Sequence, residues 1–354
     1  MASQTQPWEL RRQDARIAIN ADQAEFAAVH YGTSNIEAGT FDDRVAGALD
    51  DYEVPDPRIS VPAGQWDWAS HDMALDNAVS DIGIELRRRK EVLGGLYPFV
   101  VADNQLVYSQ SRTLAYEFCL AVTQAPSLSK GDFTRLPIAF ERLVRDILIR
   151  FLGPGAQGIR TGWPPDAHEP RPAHFKELIA ALHNATNEWE WAPEIDLPKD
   201  PDPQDVKDEG LDFVIWKEIP DRRPGRLFLL GQCACGKNYD TKFGDIDARL
   251  DKLSKWIRPI PCVFPVRVFA TPHQIPNDTY FRTVNRQAGW TLDRSRITLL
   301  AESEAAREYV VAQARDPYAS LIRLVIEGFE ADQPKRGRQP RKAAAGRRSR
   351  SPGT

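Results

Sequence analysis

The amino-acid sequence predicts a mixed α/β protein whose first part is mainly helical. Three observations lead to this. Apolar residues repeat at helical spacing through much of residues 1–125 and again over 136–152. Two apolar runs of strand length, 211–217 and 226–234, flank the turn-forming string IPDRRPG. A β-branched run at 262–269 then follows an amphipathic stretch. The resulting order is helix, strand, helical insertion, two strands, helix, strand. That describes a mixed sheet with helices around it, not a doubly wound fold built from repeated βαβ units.

Taken in order, residues 8–31 read as a helix, and 33–70, rich in Pro, Gly and Asp and dotted with Trp, as a loop-dominated connection. Apolar residues at 75, 79, 82, 86 and 93 give 72–93 a helical period, which Gly94-Gly95 ends. A strand-like piece at 98–102 and a helix over 111–123 complete a mainly helical region, 1–125. Beyond it, 136–152 places Phe140, Leu143, Val144, Ile147, Leu148 and Phe151 on one stripe, stopped by Gly153-Pro154-Gly155. A strand at 157–163, a helix at 173–189 and a Pro/Asp-rich loop at 191–209 lead to the two central strands. Apolar positions 243, 246, 250, 253 and 257 predict a helix over 240–257. The 262–269 strand, a short helix, a strand at 296–300 and a helix over 304–330 complete a second region, 130–332.

Composition narrows the function classes. In 354 residues, 42% are hydrophobic and 27% charged, with a mean hydropathy of −0.46, as in soluble globular proteins. No run is long and apolar enough for a membrane span, and the charged N-terminus lacks a secretory core, so the chain reads as cytoplasmic. The last 21 residues hold eight Lys/Arg and no acid, so the body is far more acidic than the net charge of −4 suggests. The segment that contains them, 333–354, reads as a disordered tail: either a sequence-blind arm for phosphate backbones or a solubilising extension. Cys119, Cys233, Cys235 and Cys262 make no disulfide framework, and the lone Cys233-x-Cys235 lacks the further soft ligands of a zinc site; reduced thiols are expected. The six histidines are scattered, and no Walker A, G-x-G-x-x-G, G-x-S-x-G or H-E-x-x-H string occurs. Trp189 and Trp191 could stack on bases, but core packing is the commoner use of such residues.

The chemistry-bearing segment is 208–242, DEGLDFVIWKEIPDRRPGRLFLLGQCACGKNYDTK. If its strands pair antiparallel about Arg222, partner numbers sum to 444, and Asp212 faces Gln232. Alternation then places both on the face of Val214, Trp216, Phe228 and Leu230. A carboxylate at the end of an apolar face needs a partner, and a cation is one.

At this point the segment resembles the PD-(D/E)XK, or restriction-endonuclease-like, nuclease superfamily. Asp212 in GLDFVIWK matches the Asp at the start of one central strand. Gln232 in LLGQCA matches the acidic or amide position on the next, and Glu141 in 136–152 the Glu of the upstream helix. The element order over 136–270 agrees too. One departure stands out: Ala234 occupies the usual Lys position, leaving Lys242, in the first turn of the next helix, or Lys237 as a displaced lysine. A rigid helix favours Lys242. The resemblance implies a restriction-endonuclease-like core, a central mixed sheet flanked by helices. It implies Mg²⁺ or Mn²⁺ held by Asp212, the Gln232 side-chain oxygen and the Cys233 carbonyl, with Glu141, Asp212, Gln232 and Lys242 as catalytic residues. The expected activity is endonucleolytic hydrolysis of phosphodiester bonds, DNA above RNA, in restriction or anti-phage defence. Residues 1–125 would then be a sensor or a surface for defence partner proteins. The alternatives are an inactive nuclease-fold module that binds nucleic acid or a partner protein, and an RNA-directed toxin.

Overall fold

The computed structural model describes residues 7–35, 68–102, 105–165, 169, 171–172, 174–202, 206–221, 223–258 and 263–332. The basic tail, Cys262 and most of the 33–70 connection lie outside them. The chain opens with helix α1 (Pro7–Tyr31) and strand β1 (Thr33–Asn35). Helix α2 (Trp68–Leu93) leads to strands β2 (Phe99–Ala102) and β3 (Gln105–Tyr108), then to helix α3 (Ala115–Gln124). The three strands form a small antiparallel sheet of order β1-β3-β2. Of these strands the sequence reading found only β2, because three or four residues are too few to show a two-residue period.

The second region starts with helix α4 (Arg135–Leu152), whose stripe buries Phe140, Leu143, Val144, Ile147 and Leu148, while Phe151 stays exposed. Strand β4 (Ala156–Arg160), helix α5 (Phe175–Thr186), and strands β5 (Phe213–Lys217) and β6 (Leu227–Cys233) follow. Next come a one-turn helix α6 (Asp251–Ser254), strand β7 (Val266–Ala270), helix α7 (Asp278–Ala288) and strand β8 (Trp290–Leu292). Helices α8 (Arg294–Ala301), α9 (Arg307–Gln313) and α10 (Arg315–Asp332) close the chain. The main sheet has the order β4-β5-β6-β7-β8, with β4, β5 and β6 antiparallel and β6, β7 and β8 parallel. Val214 pairs with Leu230 and Trp216 with Phe228, the register expected from the turn's symmetry. No described helix is long and apolar enough to cross a membrane.

Both sheet faces are covered. Phe213, Ile215 and Leu229 pack with the α4 stripe in a core that also takes in Phe26, Leu86 and Phe118, so the N-terminal helices and the sheet share it. Val214, Trp216, Phe228 and Leu230 pack on the opposite face with Phe175, Ile179, Trp189, Ile246 and Leu250. Trp189 is fully buried with its ring edge-on to Phe228, and Trp191 stacks on Trp256, so both tryptophans belong to this core side. Gly231 lies opposite Phe213, whose ring occupies the space a Cβ would need. Gly231→Ala therefore overpacks a fully buried site and is expected to cost about 1–3 kcal/mol. A urea midpoint equal to wild type would contradict that.

Three sequence expectations are corrected. The 240–257 helix is instead a 3-10 turn at Tyr239–Lys242 and the single turn α6. Asp247 accepts from the backbone N–H groups of Arg249 and Asp251, and Leu250 takes a left-handed φ of 59°, so local side-chain bonds displace the helix ladder. Phe243, Ile246, Leu250, Leu253 and Ile257 are all buried even so: their spacing reported burial, not helix. The 296–300 strand is helix α8, started by Asp293, which accepts from the Arg296 N–H at 3.1 Å. That N-cap overrides the β-branched Ile297 and Thr298. Finally, the 304–330 helix is divided at Ala314 into α9 and α10.

Candidate functional site

Asp212 stands immediately before β5. Its backbone N–H donates to Gly231 O at 2.8 Å, although the strand register pairs Gly231 with Phe213. This one-residue slip breaks the alternation. Leu211, not Asp212, continues into the core of Val214 and Trp216. The Asp212 carboxylate turns instead toward α4, and its Oδ2 accepts from the Cys233 N–H at 2.6 Å. Its carbonyl receives the N–H groups of Thr161 (2.8 Å) and Gly162 (3.0 Å), tying it to the segment after β4.

Glu141, on α4 and 7% exposed, is the carboxylate Asp212 meets. Gly162 lies between them. A Cβ there would stand 3.0 Å from Asp212 Oδ1 and nearer still to Glu141 Oε2, so only glycine lets the two carboxylates approach this closely. Arg160, fully buried at the end of β4, donates Nε–H to Glu141 Oε2 at 2.6 Å and Nη1–H to Pro164 O at 2.9 Å. Arg171 donates to Gly162 O at 2.6 Å. Asp208 accepts from the N–H groups of Trp163 and Gly210, both at 2.9 Å. Glu141 Oε1 and Asp212 Oδ1 have no hydrogen-bond donor among the described residues. Arg160 Nη2 and Arg171 Nε are buried without an acceptor. Unspent acceptors and unspent donors thus lie side by side.

The electrostatics follow from that crowding. Burial pushes Glu141 up to about 7; Arg160 offsets part of the rise and Asp208 adds to it. Burial, then the neighbouring Glu141 and Asp208 carboxylates, hold Asp212 well above the usual carboxylate range. With folded values above unfolded ones, the folded chain keeps these protons longer as pH rises. Stability is therefore expected to fall between about pH 4.5 and 7. Urea midpoints at pH 5 and 7.5 check this: the drop should shrink in Glu141→Gln, and an unchanged drop would contradict it.

Gln232 and Lys242 belong to a second cluster at the same sheet end. Gln232 Nε2 donates to Asp245 Oδ2 at 2.9 Å, and Asp245 also pairs with Lys242 (3.2 Å) and Lys252 (2.9 Å). Burial would raise Asp245, but the Lys252 and Lys242 ammonium groups outweigh it and hold the carboxyl below its ordinary value. A Cβ on Gly210 would stand 3.1 Å from Asp245 Cβ, which sets this cluster against the 208–212 loop.

The structure therefore brings Asp212 to Glu141 and links Gln232 to Lys242 through Asp245. It does not set Asp212 and Gln232 around one partner on a common face, which corrects the geometry expected for that pair. Cys233 meets Asp212 through its N–H; its thiol packs against the α4-side core. Lys242 sits in a 3-10 turn with an exposed side chain, not in an α-helix, and Lys237 is exposed. Cys119, Cys233 and Cys235 are free thiols, and Ala234, at the usual Lys position, is buried. Among the described residues no group of three or more His, Cys, Asp or Glu is placed to hold a metal ion. Sequence reasoning missed Arg160, Gly162, Arg171, Asp208 and Asp245. The one trace in the sequence is the charge of Arg160 at the end of the strand AQGIR, which no spacing rule ties to a site. Comparison with protein-family models, curated proteins and solved structures finds no match to this chain.

Proposed function

We propose that this chain is a divalent-metal-dependent endonuclease that hydrolyses phosphodiester bonds, DNA above RNA, and that it serves in restriction or anti-phage defence. The observation that carries the reading is the pair of carboxylates, Glu141 buried and Asp212 partly buried, that face each other across Gly162, each with one oxygen unclaimed. Their mutual repulsion is what a cation offsets. Magnesium takes one or two carboxylates from a protein and keeps several waters, so Glu141 and Asp212 fit as its anchors. Bound there, Mg²⁺ or Mn²⁺ supplies Lewis-acid polarisation of a phosphoryl oxygen and makes water more acidic.

The chain's own groups do the rest. Arg160 orients Glu141 through Nε, and Cys233 orients Asp212 through its N–H. The acceptor-less N–H groups of Arg160 and Arg171 suit a phosphate oxygen. Lys242, paired with Asp245 in the neighbouring cluster beside the 208–212 loop, would be the lysine that offsets charge building up on the phosphoryl group. The order of α4, three antiparallel strands and a parallel fourth supports the restriction-endonuclease-like reading.

The test is cleavage of plasmid DNA and of RNA with Mg²⁺ or Mn²⁺. Metal-dependent cleavage of DNA supports the proposal. No cleavage of either polymer in either metal would overturn it and favour an inactive nuclease-fold module, a reading that Ala234 at the usual Lys position supports. Gly162→Ala sharpens the test. The added Cβ displaces the flexible end of Glu141 while the fold holds, and cleavage is expected to drop roughly a hundred-fold, the scale of a 1 Å misplacement. Full activity in a folded Gly162→Ala would contradict the carboxylate geometry.

A further inference from the structure

We infer that the cavity between α1 and the loops after β6 and β7 is a binding site for a nucleotide. It encloses about 560 Å³, within the usual range for small-ligand sites. One wall is α1 and the end of α3, contributing Gln23 and Gln124; the other contributes Lys237, Tyr239 and His273.

The charge of the lining is readily assigned. Asp22, on the floor, is spent: its oxygens take the guanidinium groups of Arg89 (2.8 Å) and Arg294 (2.6 Å). Burial pushes the His273 imidazole below its ordinary value, leaving it neutral near pH 7, with Nε2 donating to Cys235 O at 3.1 Å. Lys237 is exposed and has no ion-pair partner among the described residues, so the uncompensated charge of the cavity is one ammonium. A ligand for it carries an anion.

The remaining chemistry suits a planar heterocycle. Tyr239 and His273 stack with centroids 5.0 Å apart and planes 24° from parallel, and both line the cavity. Gln274 is engaged by Asp293 and Ser295. Gln23 has no partner among the described residues, and Gln124 spends only its NH₂ group, on Thr123. A primary amide offers one donor group and one acceptor, the pairing a nucleobase edge requires. Phosphate at Lys237, ring against Tyr239 and base edge at Gln23 together describe a nucleotide. The site is independent of the proposed nuclease centre and would hold even if that reading failed.

Calorimetric titration of the full chain with ATP, GTP, CTP and UTP, with adenosine and tripolyphosphate as part-ligands, tests the inference. At least one nucleoside triphosphate should bind more tightly than either part-ligand. Lys237→Ala should weaken its binding at least tenfold while leaving the nucleoside's unchanged, and Gln23→Leu should weaken both. Binding should persist in Asp212→Asn, which separates this site from the carboxylate pair. No binding of any of the four at millimolar concentration would overturn the inference. So would binding matched by tripolyphosphate, or binding indifferent to both Lys237→Ala and Gln23→Leu.

Discussion

Replacing Asp212 with asparagine is expected to abolish metal-dependent cleavage while leaving the protein at least as stable as before. The two halves of this result have separate causes. The asparagine oxygen can still accept from the Cys233 N–H, and the bonds from Thr161 and Gly162 end on the Asp212 backbone carbonyl, which the substitution leaves alone. What disappears is a negative charge that burial, Glu141 and Asp208 all disfavour. Its removal relieves repulsion in the protein without metal. On the proposed reading the same charge anchors the cation, and losing several kcal/mol of charge stabilisation corresponds to a rate loss on the order of a thousand-fold or more. Plasmid cleavage and a urea melt on one preparation measure both halves. A residue held only for structure would show the reverse, lower stability with cleavage intact, and that outcome would remove Asp212 from the site.

The largest stability effect is expected outside this pair, in the ion network that joins the N-terminal helices to α8. Arg294, fully buried, donates to both oxygens of Asp22 at 2.7 and 2.6 Å. Arg89, also fully buried, reaches Asp22 and Glu25 at 2.8 Å each and Glu85 at 2.8 Å. The hydroxyls of Tyr97 and Tyr116 donate to Glu25 at 2.5 and 2.9 Å. Burial alone would raise Asp22, but Arg294 and Arg89 outweigh it and hold the carboxyl at about 2. This contribution is complete above the unfolded value near 3.8 and is lost as pH falls toward 2. Asp22→Ala leaves two guanidinium groups in the core short of a counter-charge, so a loss of about 3–5 kcal/mol is expected. The exposed Arg112–Glu308 pair, at 2.7 Å, is the control: breaking it should cost less than about 1 kcal/mol. Similar losses from the two substitutions would contradict this account of the network.

The parts of the molecule that were legible in the sequence are those set by repetition. The α4 stripe and the β5–β6 hairpin each repeat one physical instruction over several residues, and the 444 register follows from the symmetry of a single turn. What the sequence concealed depends on single local bonds. The slip at Asp212 rests on one N–H choosing Gly231 O, and it sends the carboxylate to Glu141, away from Gln232. The end of the 240–257 helix rests on the Asp247 side chain, and the start of α8 on that of Asp293. Arg160 and Gly162, which shape the carboxylate pair, are brought to it by a strand pairing and a backbone bend, so no spacing rule points to them. Glu141 entered only through the resemblance, which places a Glu on the helix upstream of the central strands; no spacing or burial rule singles it out.

On the proposed reading, Glu141 and Asp212 together hold one divalent ion. Calorimetric titration of Mn²⁺ into wild type, Glu141→Gln and Asp212→Asn measures this without depending on any nucleic-acid substrate. One site per chain in the wild type, weakened at least tenfold by either substitution, is the predicted result. Equal Mn²⁺ affinity in all three proteins would contradict the claim.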